Sequence, residues 1–295
     1  MSDPAGAEER ALLGRAPVPP PRTLRYGGHP DQLCDLWPAA DPAAPTVLLI
    51  HGGFWRQAYD RRHLSPLAAH LAGHGYTAAL VEYRRACGFA ATLDDIAAAV
   101  DTIPAATIPA GTTPADTGPA AGPPLLLGHS AGGQLALWAA ARSQLPADAP
   151  WRGGRRPRGV LAAAPVADLA AAVRDGLGAG AATAFLGGAD LVAGRLPYAD
   201  PVALGPTGVR TVLLHGADDP DVPPAQSRAY AAADPAARLL ILPATGHFAP
   251  VDPGTAACAL LTAALADLAR DTARAAPTVA AAPPPAAGRQ RRSRT

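Results

Sequence analysis

The sequence predicts an α/β domain with a mostly parallel central sheet and helices on both faces. Three observations predict it. Short apolar runs of strand length recur at 46–50, 77–83, 125–128, 159–164, 211–215 and 238–242, and runs that are apolar throughout suit strands buried on both faces. Between or after them lie helical patterns at 64–74, 91–101, 132–142, 223–233 and 254–273, and strands alternating with helices form parallel sheets. Residues able to do chemistry fall directly after four of the runs, where the carboxyl edge of such a sheet presents its ligands.

Taken in order, residues 1–22 end in "PVPPPR" and read as a flexible tail, so the domain is expected over 23–274. The run 46–50 (TVLLI) is a buried strand that leads into His51-Gly52-Gly53-Phe54-Trp55. Helix 64–74 connects it to strand 77–83, and helix 91–101 precedes a Pro/Thr/Gly-rich loop at 102–124, whose composition is wrong for an element interior. Strand 125–128 enters Gly128-His129-Ser130-Ala131-Gly132, followed by a helix with Leu135, Leu137, Trp138 and Ala141 on its apolar positions. Strand 159–164 stops at Pro165, and 165–207, above all 183–204, is expected as a cap or pocket wall. Strand 211–215 leads into Asp218-Asp219-Pro220-Asp221-Val222-Pro223, and strand 238–242 into Thr245-Gly246-His247-Phe248. Residues 275–295 read as a disordered basic tail whose arginine cluster at 289–294 is a solvated run.

Composition narrows the partners. The 25 basic residues, all Arg, nearly balance 24 acidic ones for a net charge of +1, which supplies no polyanion surface, so no nucleic-acid partner is expected. Three scattered cysteines, Cys34, Cys87 and Cys258, fit neither a disulfide framework nor a zinc pattern and read as free thiols. No apolar run approaches the ~18 residues of a spanning helix, and the acidic N-terminus does not resemble a signal peptide. A cytoplasmic protein without membrane association is expected, its oligomeric state open.

The strand ends supply matched chemistry. A serine hydroxyl is a weak nucleophile until a base takes its proton, and the base needs a carboxylate to fix its tautomer. Ser130 sits in G-x-S-x-G between a strand and a helix, the context in which the glycines permit a sharp turn that exposes the side chain. Of the eight histidines, His247 alone follows the last strand in a short loop and is the candidate base; the other seven read as core or surface residues, with His51 bracing the loop it opens. Asp219 is the preferred acid, with Asp218 and Asp221 as alternatives, whereas Asp94 and Asp95 read as surface charges on their helix. His51-Gly52-Gly53-Phe54 can turn main-chain N–H groups toward a developing oxyanion, and the amide of Ala131 is the natural second donor. No metal or other cofactor is expected, since no His, Cys or carboxylate set has ligand spacing and a serine triad needs none.

With these motifs together, residues 25–272 resemble the α/β-hydrolase family, in the branch of hormone-sensitive-lipase-like carboxylesterases and kynurenine formamidases (arylformamidases). The resemblance rests on His51-Gly52-Gly53-Phe54-Trp55, Gly128-His129-Ser130-Ala131-Gly132-Gly133, Asp219-Pro220-Asp221-Val222-Pro223 and Gly246-His247. It implies attack by Ser130, acid–base work by His247 oriented by Asp219, and an oxyanion hole of the Gly53, Phe54 and Ala131 amides. Trp55, where the lipases carry a third glycine, is closer to the arylformamidases. Trp55 and His129 are the candidate substrate contacts. The expected activity is cleavage of a small carboxylic ester or aryl-formamide through an acyl-enzyme. The alternatives are a prolyl-oligopeptidase-like peptidase, disfavoured by Ala131 where those enzymes carry Tyr, and a non-catalytic binding protein on the same fold.

Overall fold

The structure, a computed structural model, describes residues 4–107 and 122–274. Its centre is an eight-stranded sheet: β1 Arg22–Arg25, β2 Leu33–Trp37, β3 Thr46–Ile50, β4 Thr77–Val81, β5 Leu125–His129, β6 Gly159–Ala163, β7 Thr211–Gly216 and β8 Arg238–Leu242. The order across the sheet is β1-β2-β4-β3-β5-β6-β7-β8. The six apolar runs became β3 to β8, all parallel, which establishes the expected α/β-hydrolase sheet. The added strands β1 and β2 pair antiparallel at one edge. Neither carries an apolar run: β1 has an arginine at each end, and β2 has Asp35 at its centre, buried because Arg61 Nε donates to it at 2.7 Å.

Side chains of β3 alternate between two cores, Val47 and Leu49 toward one face and Leu48 and Ile50 toward the other. The first face is covered by helix α1 (Pro4–Leu13), α2 (Ser65–Gly73) and α10 (Ala256–Arg274). The second carries α3 (Phe89–Ala106) and α4 (Ala131–Ala140), and every residue of α4 is buried. Four short helices, α5 (Leu169–Arg174), α6 (Leu177–Phe185), α7 (Ala189–Ala199) and α8 (Pro201–Leu204), occupy the expected cap segment. Helix α9 (Ala225–Ala233) lies between β7 and β8. Among the described residues no single helix is long and apolar enough to cross a membrane.

Two expected boundaries shift. Within the expected tail 1–22, the described residues 4–22 are not merely a tail, because α1 packs on the domain: Leu12 is buried in one cluster with Leu64, Leu67 and Val251, and the Val18 N–H donates to Ser65 Oγ at 2.9 Å. One apolar side chain at the right register outweighs the polar average of the segment. The loop expected at 102–124 starts later, because the buried stripe Leu93, Ile96, Val100 and Ile103 carries α3 through Pro104 to Ala106. Residues 108–121 of that loop and the tail at 275–295 lie outside the described residues.

Candidate active site

Parallel strands bring their carboxyl ends to one edge, so β3, β5, β7 and β8 deliver the four expected motifs to one place. Ser130 joins β5 to α4 with φ 58° and ψ −121°, a conformation that a side chain seldom adopts and that neighbouring main chain must impose. Its N–H donates to Ala163 O at 2.9 Å, and its carbonyl accepts from Gly133 N at 2.9 Å and Val166 N at 3.2 Å. The elbow's glycines are required by crowding: a Cβ at Gly128 would collide with the Gly132 carbonyl, and one at Gly132 with the carbonyls of Ile50 and His51.

The loop after β3 passes close to Ser130, where a Cβ at Gly52 would stand 2.8 Å from Ser130 Cβ. Gly53, Phe54 and Trp55 follow with φ of 100°, 50° and 56°. Among the described residues the N–H groups of Gly53, Phe54 and Ala131 have no hydrogen-bond acceptor. They remain free to donate to a ligand oxygen.

Behind this loop lies a buried ionic cluster that the sequence reading missed. Glu82, at the end of β4, meets His51 Nε2 at 2.9 Å, the Arg85 guanidinium, and the main-chain N–H of Arg61 at 3.1 Å and of Tyr83 at 3.0 Å. His51 Nδ1 lies 2.8 Å from Gly52 O, its ring stacks on Tyr83 at 4.5 Å, and the Tyr83 hydroxyl donates to His51 O at 2.8 Å. Burial, then the Arg85 charge, pulls the His51 pKa down to about 3. His51 is therefore the expected brace, fixed at both ring nitrogens. Glu82 sits inside an apolar stretch, and its only signal in the sequence was a carboxylate at a strand end beside two arginines.

Asp219 and His247 meet through one carboxylate oxygen. His247 Nδ1–H donates to Asp219 Oδ2 at 2.6 Å, while Asp219 Oδ1 accepts from the main-chain N–H of Asp221 at 2.9 Å and of Val222 at 2.8 Å. Asp218 and Asp221 are exposed. Burial by itself would raise the Asp219 carboxyl, but hydrogen bonds from His215 and His247, then the His247 charge, hold it well below the usual range. His215, read from sequence as a core or surface residue, thus supports Asp219: its Nε2 lies 2.8 Å from Val222 O and 3.3 Å from Asp219 Oδ2, and its Nδ1 accepts from Ser227 Oγ at 2.7 Å. Among the described residues, Asp219, Asp221 and His247 also form a group whose potential metal-ligand atoms lie within 4.8 Å of one another. That group is the hydrogen-bonded Asp219–His247 pair with one added carboxylate.

Ser130, His129, His247, Gly53, Phe54 and His63 all border one cavity of about 70 Å³. His129 lies beneath the base, its Nε2–H donating to the His247 carbonyl at 3.1 Å. Burial, then the neighbouring His247, lowers its pKa far below the ordinary value. His63, expected as a core or surface residue, reaches the cavity, and burial followed by repulsion from His51 lowers it to about 4. Trp55, expected at the substrate, turns instead into the core, where its ring stacks on Phe185 at 4.4 Å and Nε1 donates to Gln134 Oε1 at 3.2 Å. It borders a second cavity of about 250 Å³ with Phe54, Arg56 and Phe185. Asp95 also departs from expectation, being fully buried with Arg84 NH2 at 2.6 Å and Gln32 Nε2 at 2.7 Å.

The sheet order, the strained serine elbow and the carboxylate-held histidine define a protein of the α/β-hydrolase class. The chain belongs to the BD-FAE family, whose model matches residues 36–233. No match was found among curated proteins. Among solved structures the chain is similar to esterase B from Lactobacillus rhamnosis, with 20% identity over 91% of this chain and 92% of that one and a TM-score of 0.68. It is also similar to an acetyl ester-xyloside bifunctional hydrolase from Caldicellulosiruptor lactoaceticus, with 20% identity, coverage of 87% and 98% and a TM-score of 0.67. A third similar structure is a putative thioesterase from Silicibacter sp. TM1040, with 26% identity, coverage of 88% and 90% and a TM-score of 0.60.

Proposed function

We propose that the protein is a serine carboxylesterase for esters with short acyl groups, with Ser130 as nucleophile, His247 as base and Asp219 as the orienting acid. The observation that carries this reading is the 2.6 Å bond from His247 Nδ1–H to Asp219, because it commits the other ring nitrogen, Nε2, to the cavity that His247 shares with Ser130. In this reading the Ser130 Oγ–H passes its proton to Nε2 as Oγ bonds to the ester carbon. The carbonyl electron pair moves onto oxygen, where the Gly53, Phe54 and Ala131 N–H groups receive it. The carbon–oxygen bond to the alcohol then breaks, the alcohol leaves with the proton from Nε2, and water repeats the sequence to free the acid and regenerate Ser130. Esterase neighbours on the same fold support the substrate class.

Aryl-formamide cleavage is the second reading. A cavity of about 70 Å³ at the serine suits a formyl as well as an acetyl group, whereas the inward turn of Trp55 removes the aromatic contact expected at this cavity. Three free thiols, Cys34, Cys87 and Cys258, support a reducing compartment, the cytoplasm, as the place of work. Turnover of p-nitrophenyl acetate, p-nitrophenyl butyrate and N-formylkynurenine tests the reading. The expected order is acetate above butyrate, with Ser130→Ala inactive on both and unlabelled by a fluorophosphonate. A Ser130→Ala protein with full activity would end the proposal.

A further inference from the structure

Helix α1 reaches across the sheet edge and places a carboxylate on the loop that carries His247. Glu8 Oε1 accepts from the Gly246 N–H at 2.9 Å, and Oε2 accepts from Phe248 N–H at 3.2 Å and Ala249 N–H at 3.0 Å. The three donors flank His247 on both sides, so one side chain fixes the main chain before and after the imidazole. The loop is fitted to this guest: a Cβ at Gly246 would stand 2.7 Å from Glu8 Oε2. The helix is held there independently by buried Leu12 and by Arg15, whose NH2 lies 2.6 Å from Asp252 Oδ1. The same helix brings Glu9 and Leu13 to the wall of the Ser130 cavity.

We propose that Glu8 is a positioning residue for His247, holding the 246–249 main chain so that the imidazole stays aligned between Asp219 and Ser130. A carboxylate suits the task because both of its oxygens accept, and charge-assisted bonds to main-chain N–H groups are shorter and stiffer than neutral ones. Its effect is on geometry and not on substrate affinity, since Glu8 reaches the reaction only through the loop. The inference rests on the serine-hydrolase reading above for its kinetic consequence, but the contact itself can be tested without catalysis.

The test uses the full chain with Glu8→Ala and Glu8→Gln, and Arg15→Ala as a control that removes the half-exposed ion pair after α1 and leaves Glu8 and the loop in place. Each folded protein is assayed for kcat and KM on p-nitrophenyl acetate and for amide hydrogen exchange at Gly246, Phe248 and Ala249. Glu8→Ala is expected to lower kcat by about 10- to 100-fold, the range for a misaligned catalytic group, with KM within about 3-fold. Exchange at the three amides should rise at least about 10-fold. Glu8→Gln, with one acceptor oxygen, should fall between wild type and Glu8→Ala in both readouts. Arg15→Ala should keep kcat within about 2-fold. Faster exchange with an unchanged kcat would overturn the positioning role, as would equal losses of kcat in Glu8→Ala and Arg15→Ala. A wild-type protein inactive on every ester but showing faster exchange in Glu8→Ala would instead refute the esterase reading and leave the contact in place.

Discussion

Ser130 stands on an elbow held almost wholly by main chain, whereas His247 stands on a loop held by side chains that arrive from distant sequence. The elbow is wedged between the carbonyls of Ile50, His51 and Ala163 and leaves no space for a Cβ at Gly128 or Gly132. The histidine loop is fixed by Asp219 from the β7 end, by His129 beneath it and by Glu8 across it. Close main-chain packing gives Ser130 one position. Side-chain bonds give His247 a position that single substitutions can relax.

The sharpest way to test the contrast acts on the base. Asp219→Asn should lower kcat by about 10³- to 10⁴-fold while the fold persists, because an amide holds the wrong His247 tautomer; stopped-flow acylation and circular dichroism measure the two parts. A second test inserts the same methyl group on each side. Gly132→Ala meets rigid carbonyls and should destabilise by about 3 kcal/mol or more, visible as a large loss of Tm. Gly246→Ala meets only the end of Glu8, so it should cost under about 1 kcal/mol while lowering kcat. If the two substitutions cost the same stability, the contrast between main-chain and side-chain support fails.

Acid sensitivity should follow the elbow and oxyanion side. Burial first, then Arg85, holds His51 at about 3, and burial first, then His51, holds His63 at about 4, while both titrate near ~6.5 in an unfolded chain. Above ~6.5 both rings are neutral in either state and stability is full. As pH falls below ~6.5 the unfolded chain binds protons that the folded one refuses, so stability drops by up to about 1.4 kcal/mol per pH unit for each ring, until the folded values are reached. Urea titrations at pH 7.5 and 5.5 should show this loss, and His63→Gln should remove about one ring's share of the slope. The smallest expected effect is that of Arg15→Ala, whose half-exposed ion pair with Asp252 should contribute under about 1 kcal/mol, read as a Tm shift of a few degrees or less.

Much of the site was legible because it is written in contiguous motifs at strand ends. The G-H-S-A-G-G elbow, the H-G-G-F loop and the G-H loop each combine their residue types within a few positions, and the parallel sheet gathers them without further instruction. The choice of Asp219 over its neighbours followed from the D-P-D-V-P turn, and the structure places its carboxylate on His247 Nδ1. The supports were not legible. Glu82 acts on His51, 31 residues away, and Glu8 on main-chain amides 238 or more residues away, and a carboxylate carries no local mark of a distant partner. Asp95 read as a surface charge because helical position says nothing about which arginine folds over it.

The sequence by itself determined the parallel sheet, because its strands are apolar on both faces, and marked Ser130, His247 and Asp219 as candidates, because each follows a strand in a turn of its own composition. Only the tertiary structure decided that Trp55 turns inward to Phe185, that His63 borders the cavity at Ser130, and that the N-terminal helix packs on the domain. Those outcomes depend on where helices cross the sheet and which side chains meet there, quantities set by packing over the whole molecule and not by any stretch of it.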